Sequence, residues 1–140
     1  MRWLRGIADG YILDANYVCR YLLADEYDQF NSAKELIDNH RCSIKFEIIE
    51  EVVYVLEKLY EIPRQEIKAS IVTILDKINI RTNDSKVIRM AFQAYAEKPK
   101  IDFVDCILYG YHKSGYKVAT FDKKLSRKMN QQVVKRDGSF

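Results

Sequence analysis

Tyr11-Ile12-Leu13-Asp14-Ala15-Asn16 is the stretch on which the reading of the whole chain turns. A short apolar run stops on an acid and helical spacing comes next, the pattern of a buried strand feeding a helix. The pattern recurs downstream. Residues 16–23 and 28–39 read as helices, the second with Phe30, Ala33, Leu36 and Ile37 at helical spacing. Cys42–Ile44 reads as a second strand. A helix is expected from Phe46 to Glu61, with an apolar stripe of Ile48, Ile49, Val52, Val53, Val55, Leu56 and Leu59. Pro63 interrupts it, and helix signals resume over 65–77. Ile78–Arg81 reads as a third strand, and Asp84 or Ser85 suits the cap of a helix over 86–96. Beyond Pro99, Asp102 suits the N-cap of a helix carrying Val104, Ile107, Leu108 and Tyr111, which Gly115 ends. Lys117–Phe121 reads as a strand ending at Asp122, with a short basic helix after it and an edge strand over Gln132–Lys135. Short strands alternating with helices call for parallel pairing through right-handed crossovers, an α/β sandwich.

The 140 residues suit one domain, 1–140. An apolar share of 48% excludes a disordered chain, and 5 Gly with 2 Pro exclude collagen-like or linker-rich material. No apolar run approaches the ~20 residues that cross a bilayer, and the N-terminal apolar stretch is too interrupted for a secretion signal. No membrane association is expected, and a cytoplasmic location is. Cys19, Cys42 and Cys106 have long irregular spacings that fit neither a metal clip nor a disulfide framework, so they read as small apolar residues in a reducing compartment. The chain has no dinucleotide fingerprint, P-loop or nucleophile elbow, which removes the common oxidoreductases, nucleotidases and esterases.

The net charge of +3 is unevenly spread. Residues 98–136 hold ten Lys or Arg against three acids, Asp102, Asp105 and Asp122, whereas residues 1–97 are net acidic. A basic segment suits a polyanionic partner, although a solvated lysine-rich surface reads the same way. The retained acids shift the balance toward the partner.

Asp14 and Asp122 each come directly after an expected strand, and in parallel α/β sheets the functional crevice lies at the carboxyl ends of the strands. An acid there also serves as a turn former or helix cap. Glu51 is expected at the edge of its helix's stripe, beside Ile48 and Val55. Partly desolvated there, it needs a cation or a hydrogen-bond donor, a simple salt bridge being the alternative. Asp105 lies one turn into its helix near Ile101 and Leu108, with Asp102 better suited to capping. Carboxylates gathered in one crevice repel one another unless a cation joins them. All-oxygen ligation favours Mg²⁺ or Mn²⁺, whose sites serve phosphoryl chemistry, and a basic rim would hold flanking phosphates.

Four blocks carry a family resemblance: Tyr-Ile-Leu-Asp-Ala-Asn (11–16), Glu-Val-Val-Tyr-Val-Leu (51–56), Asp-Phe-Val-Asp-Cys-Ile-Leu (102–108) and Thr-Phe-Asp-Lys-Lys (120–124). In order and spacing the chain resembles the PIN-domain family of metal-dependent ribonucleases, which includes the VapC-type toxins of toxin–antitoxin pairs. The resemblance covers about residues 10–135. It implies a three-layer α/β/α sandwich around a short, mostly parallel twisted sheet. It implies Asp14, Glu51, Asp105 and Asp122 as catalytic and metal-holding acids, with Asn16 and Thr120 as supporting polar groups and Mg²⁺ or Mn²⁺ as cofactor. It implies RNA as substrate, a homodimer and, in toxin members, a small antitoxin protein that blocks the site. Lys123, Lys124, Arg127 and Lys128 stand where they would contact phosphates, though a solvated helix reads equally well. Two features depart from the family: Lys124 replaces a further acid, and Cys106-Ile-Leu-Tyr-Gly-Tyr111 is bulkier than the usual small-residue run. A catalytically silent RNA- or protein-binding module is the alternative. A receiver-type domain would need an acid pair ending its first strand, and Asp9 is too far from Asp14.

Overall fold

The computed structural model describes residues 10–137, with side chains as far as Asn130. The chain divides after Ser85 into two compact units.

The first unit is built on a small parallel sheet in the order β1 (Tyr11–Ile12), β2 (Cys42–Ser43), β3 (Ile80–Arg81). Tyr11 pairs with Cys42, and Cys42 with Ile80. Leu13 N–H donates to the Ser43 carbonyl at 3.0 Å and Ile44 N–H to the Arg81 carbonyl at 2.8 Å, so the ladder runs one residue past each short strand. Gly10 starts the sheet at φ +97°; a Cβ there would fall 1.8 Å from the Arg41 carbonyl oxygen, so only glycine lets β1 begin against that residue. Parallel neighbours need crossovers, and helices supply them. α1 (Ala15–Leu23) and α2 (Tyr27–Asn39) join β1 to β2. α3 (Phe46–Tyr54), a π segment (Val55–Leu59) and α4 (Arg64–Leu75) join β2 to β3. Leu13, Ile37, Ile44, Ile49, Leu56 and Ile71 are among the residues buried here.

The single helix expected from Phe46 to Glu61 is therefore split. Tyr60 N–H reaches back five residues to the Val55 carbonyl at 3.2 Å, and Glu61 takes a left-handed φ of 53°. Pro63 has no N–H with which to continue an α-helical ladder, so the chain leaves through a widened turn. Leu56 stays buried while Leu59, expected in the stripe, is exposed.

The second unit contains α5 (Ser85–Glu97), α6 (Phe103–Lys113) and α7 (Lys123–Asp137). Its core is aromatic. Phe92 and Phe103 lie 4.8 Å apart between ring centroids, and Tyr95 meets Phe103 edge-on at 5.4 Å. Phe103, Cys106 and Gly110 form the buried face of α6, rather than the expected Val104, Ile107, Leu108 and Tyr111. Gly110 is needed for that contact, because a Cβ would lie 2.5 Å from the Val87 carbonyl oxygen of α5.

Two expected strands do not form. Residues 116–122 adopt no strand, and Phe121 is fully exposed. A short run such as Lys117–Phe121 is a strand only where another strand completes its hydrogen bonds. The expected edge strand over 132–135 is instead the end of α7, because a helix already started at Lys123 propagates more easily than a two-valine strand nucleates. Among the described residues no helix is long and apolar enough to cross a membrane. The thiols of Cys19, Cys42 and Cys106 are buried and unoxidised.

Candidate functional site

In the first unit Asp14 ends β1 and caps α1, accepting from Tyr17 N–H at 2.9 Å. One carboxylate oxygen is thus engaged by the backbone. Asn16 accepts from Arg20 Nε at 3.3 Å, and Arg20 is itself paired with Asp25. At the same end of the sheet, Asn83 beyond β3 accepts from Phe46 N–H at 2.8 Å and so caps α3. Asn83 was not singled out from sequence, because a cap supplied from another loop leaves no local signal.

Glu51 corrects an expectation. It is exposed, not half-desolvated at the stripe's edge. The buried residues around it are Ile49, Val52, Val53 and Leu56, while Ile48 and Val55 are only half-buried. At about 100° per residue this narrower stripe leaves Glu51 on the far side of the helix. Both Glu51 and Asp14 bear on the buried Cys19 thiol. Burial pushes that thiol up, Arg20 opposes the shift, and Glu51, Asp25 and Asp14 add to it. The thiol stays protonated and inert.

The acids of the second unit lie close together. Asp102 caps α6 by accepting from Asp105 N–H at 3.0 Å. Asp122 caps α7 by accepting from Leu125 N–H at 2.8 Å, and its own N–H donates to Thr120 Oγ1 at 3.0 Å. Thr120 therefore fixes the backbone of the last acid. Asp105 is half-buried on the first turn of α6. Its carboxyl is pushed above the usual range, first by burial and then by the charges of Asp102 and Asp122. These three acids line a cleft of about 430 Å³ with Lys100, Lys124 and Arg127. A second cleft of about 530 Å³ shares Lys100, Lys124 and Arg127 and adds Lys98 and Lys128. Lys123, Lys124 and Arg127 are exposed and Lys128 is half-buried. Lys98 and Lys100 were not picked out from sequence, although the basic count over 98–136 includes them.

Among the described residues, none of Asp14, Glu51, Asp102, Asp105 and Asp122 forms an ion pair with Lys, Arg or His. Their donors are all carboxylate oxygens, which suit Mg²⁺ or Mn²⁺ in type. Asp105 feels the charges of Asp102 and Asp122, and a cation would relieve that. The acids do not form a finished cage, however: no group of three or more His, Cys, Asp or Glu among the described residues is arranged to hold a metal ion.

No curated protein and no solved structure matches the chain. The PIN domain family matches residues 11–129, a span that contains all four expected acids and both polar supports. A parallel three-stranded sheet with helical crossovers, acids ending β1 and opening α6 and α7, and a match over most of the length together mean that this chain belongs to the PIN-domain family, a family of nuclease-type fold.

Proposed function

We propose that the protein is a metal-dependent endoribonuclease. The observation that carries this is the absence of ion pairs at Asp14, Glu51, Asp105 and Asp122 among the described residues of a PIN-family chain. A half-buried acid at a structural site is usually matched by a cation, and Asp105 is half-buried without one. Asp14, Asp105 and Asp122 would hold Mg²⁺ or Mn²⁺, and Glu51 would join them or orient the attacking water. The ion, when bound, lowers the pKa of that water and offsets charge on the phosphate. The capping bonds of Asp14 and Asp122 each use one oxygen, fix the side chain and leave the second oxygen for the ion. Thr120 steadies Asp122 through its backbone.

Asp14→Asn tests this. The amide keeps the α1 cap through its oxygen but loses the charge, so Mn²⁺-dependent RNA cleavage should vanish while the melting temperature holds. Full cleavage by the purified variant would falsify the scheme.

The catalytically silent binding module is favoured by one observation, the lack of a finished metal cage among the described residues. An identical melting temperature with and without Mn²⁺, together with no RNA cleavage, selects it. The likeness of the four blocks to VapC-type toxins supports a narrower reading, a homodimeric toxin held in check by a small antitoxin. Co-purification with the product of an adjacent small reading frame tests that role.

A further inference from the structure

Tyr17 and Arg20 stand three residues apart on α1, so they share a face of that helix. Asp28, Gln29 and Ser32 lie on the first two turns of α2. These five residues and Asn16 line one small cleft of about 270 Å³, room for a single flat ring system. The cleft begins beside Asp14, whose carboxylate holds the Tyr17 N–H. Arg20 is fixed in place. Its Nε donates to Asn16 at 3.3 Å, a terminal nitrogen donates to Asp25, and Tyr60 is a further hydrogen-bond partner. A guanidinium has five N–H groups, so donors remain for a ligand. Asp28 forms no ion pair among the described residues, and a carboxylate only accepts. The cleft thus combines an aromatic ring, a fixed donor from α1 and an acceptor from α2, the parts that read a nucleobase by its face and its edge. Among the four RNA bases only guanine offers an acceptor, O6, next to two donors, N1–H and N2–H, along one edge. Arg20 suits the first and Asp28 the other two. Adenine would set an amino donor against Arg20 and a lone pair against Asp28, and uracil would offer Asp28 one donor instead of two.

We propose that this cleft is a guanine pocket that holds one base of a single-stranded RNA beside Asp14. Tyr17 stacks on the base, Arg20 donates to O6 and Asp28 accepts from N1–H and N2–H. That the guanine belongs to an RNA strand rests on the nuclease reading; that the cleft takes guanine does not.

The test is fluorescence anisotropy of labelled oligouridylates carrying one central guanosine, inosine or adenosine, titrated with the full chain in EDTA. The guanosine strand should bind about tenfold more tightly than the adenosine strand. The inosine strand, which lacks the 2-amino group, should fall between them, and this arm needs no variant. Asp28→Asn, at an exposed position, should bind the guanosine and adenosine strands alike. Guanosine monophosphate should displace the guanosine strand where adenosine monophosphate does not. The pocket is overturned if the folded Asp28→Asn variant keeps the guanosine preference, or if the parent binds none of the strands. Equal binding of all three strands by the parent also overturns it; if guanosine monophosphate then still binds, the cleft serves a free nucleotide and not RNA. A parent that prefers guanosine but cleaves nothing with Mn²⁺ sinks the nuclease reading and upholds the pocket. A parent that cleaves with Mn²⁺ yet binds the three strands alike does the reverse.

Discussion

Asp38 near the end of α2 and Asp105 at the start of α6 are treated in opposite ways. Asp38 accepts from Tyr21 at 3.0 Å, pairs with Lys77 at 3.1 Å and with Lys34 one turn before it. These neighbours, Lys34 foremost, lower its carboxyl to about 2. Asp105 has two acids for electrostatic neighbours, and its carboxyl is raised. The fold can neutralise a partly buried acid, and it does so where the acid is structural. Around Asp105 it does not, which is what the ligand role proposed for Asp105 requires.

Neutralising each acid should separate the two roles. The largest effect is expected from Asp105→Asn, which should lower Mn²⁺-dependent RNA cleavage at least ~100-fold. Its melting temperature should not drop, because the substitution removes repulsion from Asp102 and Asp122. A drop of several degrees with cleavage retained would make Asp105 a scaffold acid after all. Next in size is Gly110→Ala. Forcing a methyl against the Val87 carbonyl should cost ~2–3 kcal/mol, read as a lower midpoint in urea, since α5 and α6 must part to admit it. An unchanged midpoint would mean that the helices give way easily and that Asp105 is not rigidly placed.

Asp38→Asn should destabilise by ~1 kcal/mol, a few degrees in melting temperature, with cleavage per folded molecule unchanged. The smallest effect is its pH signature. Because the folded carboxyl is lowered from 3.8 to about 2, Asp38 contributes stability above pH ~4 and loses it as pH falls toward 2. The parent should therefore lose ~1 kcal/mol more than Asp38→Asn across that window. Parallel curves would show that Lys34 and Lys77 do not hold the acid in solution.

Local chemistry made some elements legible. The strand-to-helix turn at Asp14 and the cap at Asp102 were readable because each depends on neighbours in sequence. Features that depend on distant groups were not. The apolar run ending at Phe121 looked like a strand, but strand pairing is completed by residues elsewhere in the chain. The stripe around Glu51 was drawn too wide because Ile48 and Val55 count as apolar by type, while burial is decided by the groups that pack against them. Asp105, chosen from its place near an apolar stripe, is half-buried on α6, although the face that is buried there is Phe103, Cys106 and Gly110. Of the cations lining the larger cleft, Lys124, Arg127 and Lys128 were legible on the basic helix, whereas Lys98 and Lys100 were present only as a surplus of charge.

The five residues from Val55 to Leu59 also set the angular phase at which the chain arrives at Pro63. A π turn accommodates one residue more than an α turn would, so it behaves as an insertion tolerated inside a helix. Removing a single residue from that stretch would let the spiral close as an ordinary α turn and would leave the approach to the proline at nearly the same angle. Chain length at this point is buffered: the widened turn takes up one residue, and a one-codon deletion there would be absorbed without altering a single acid.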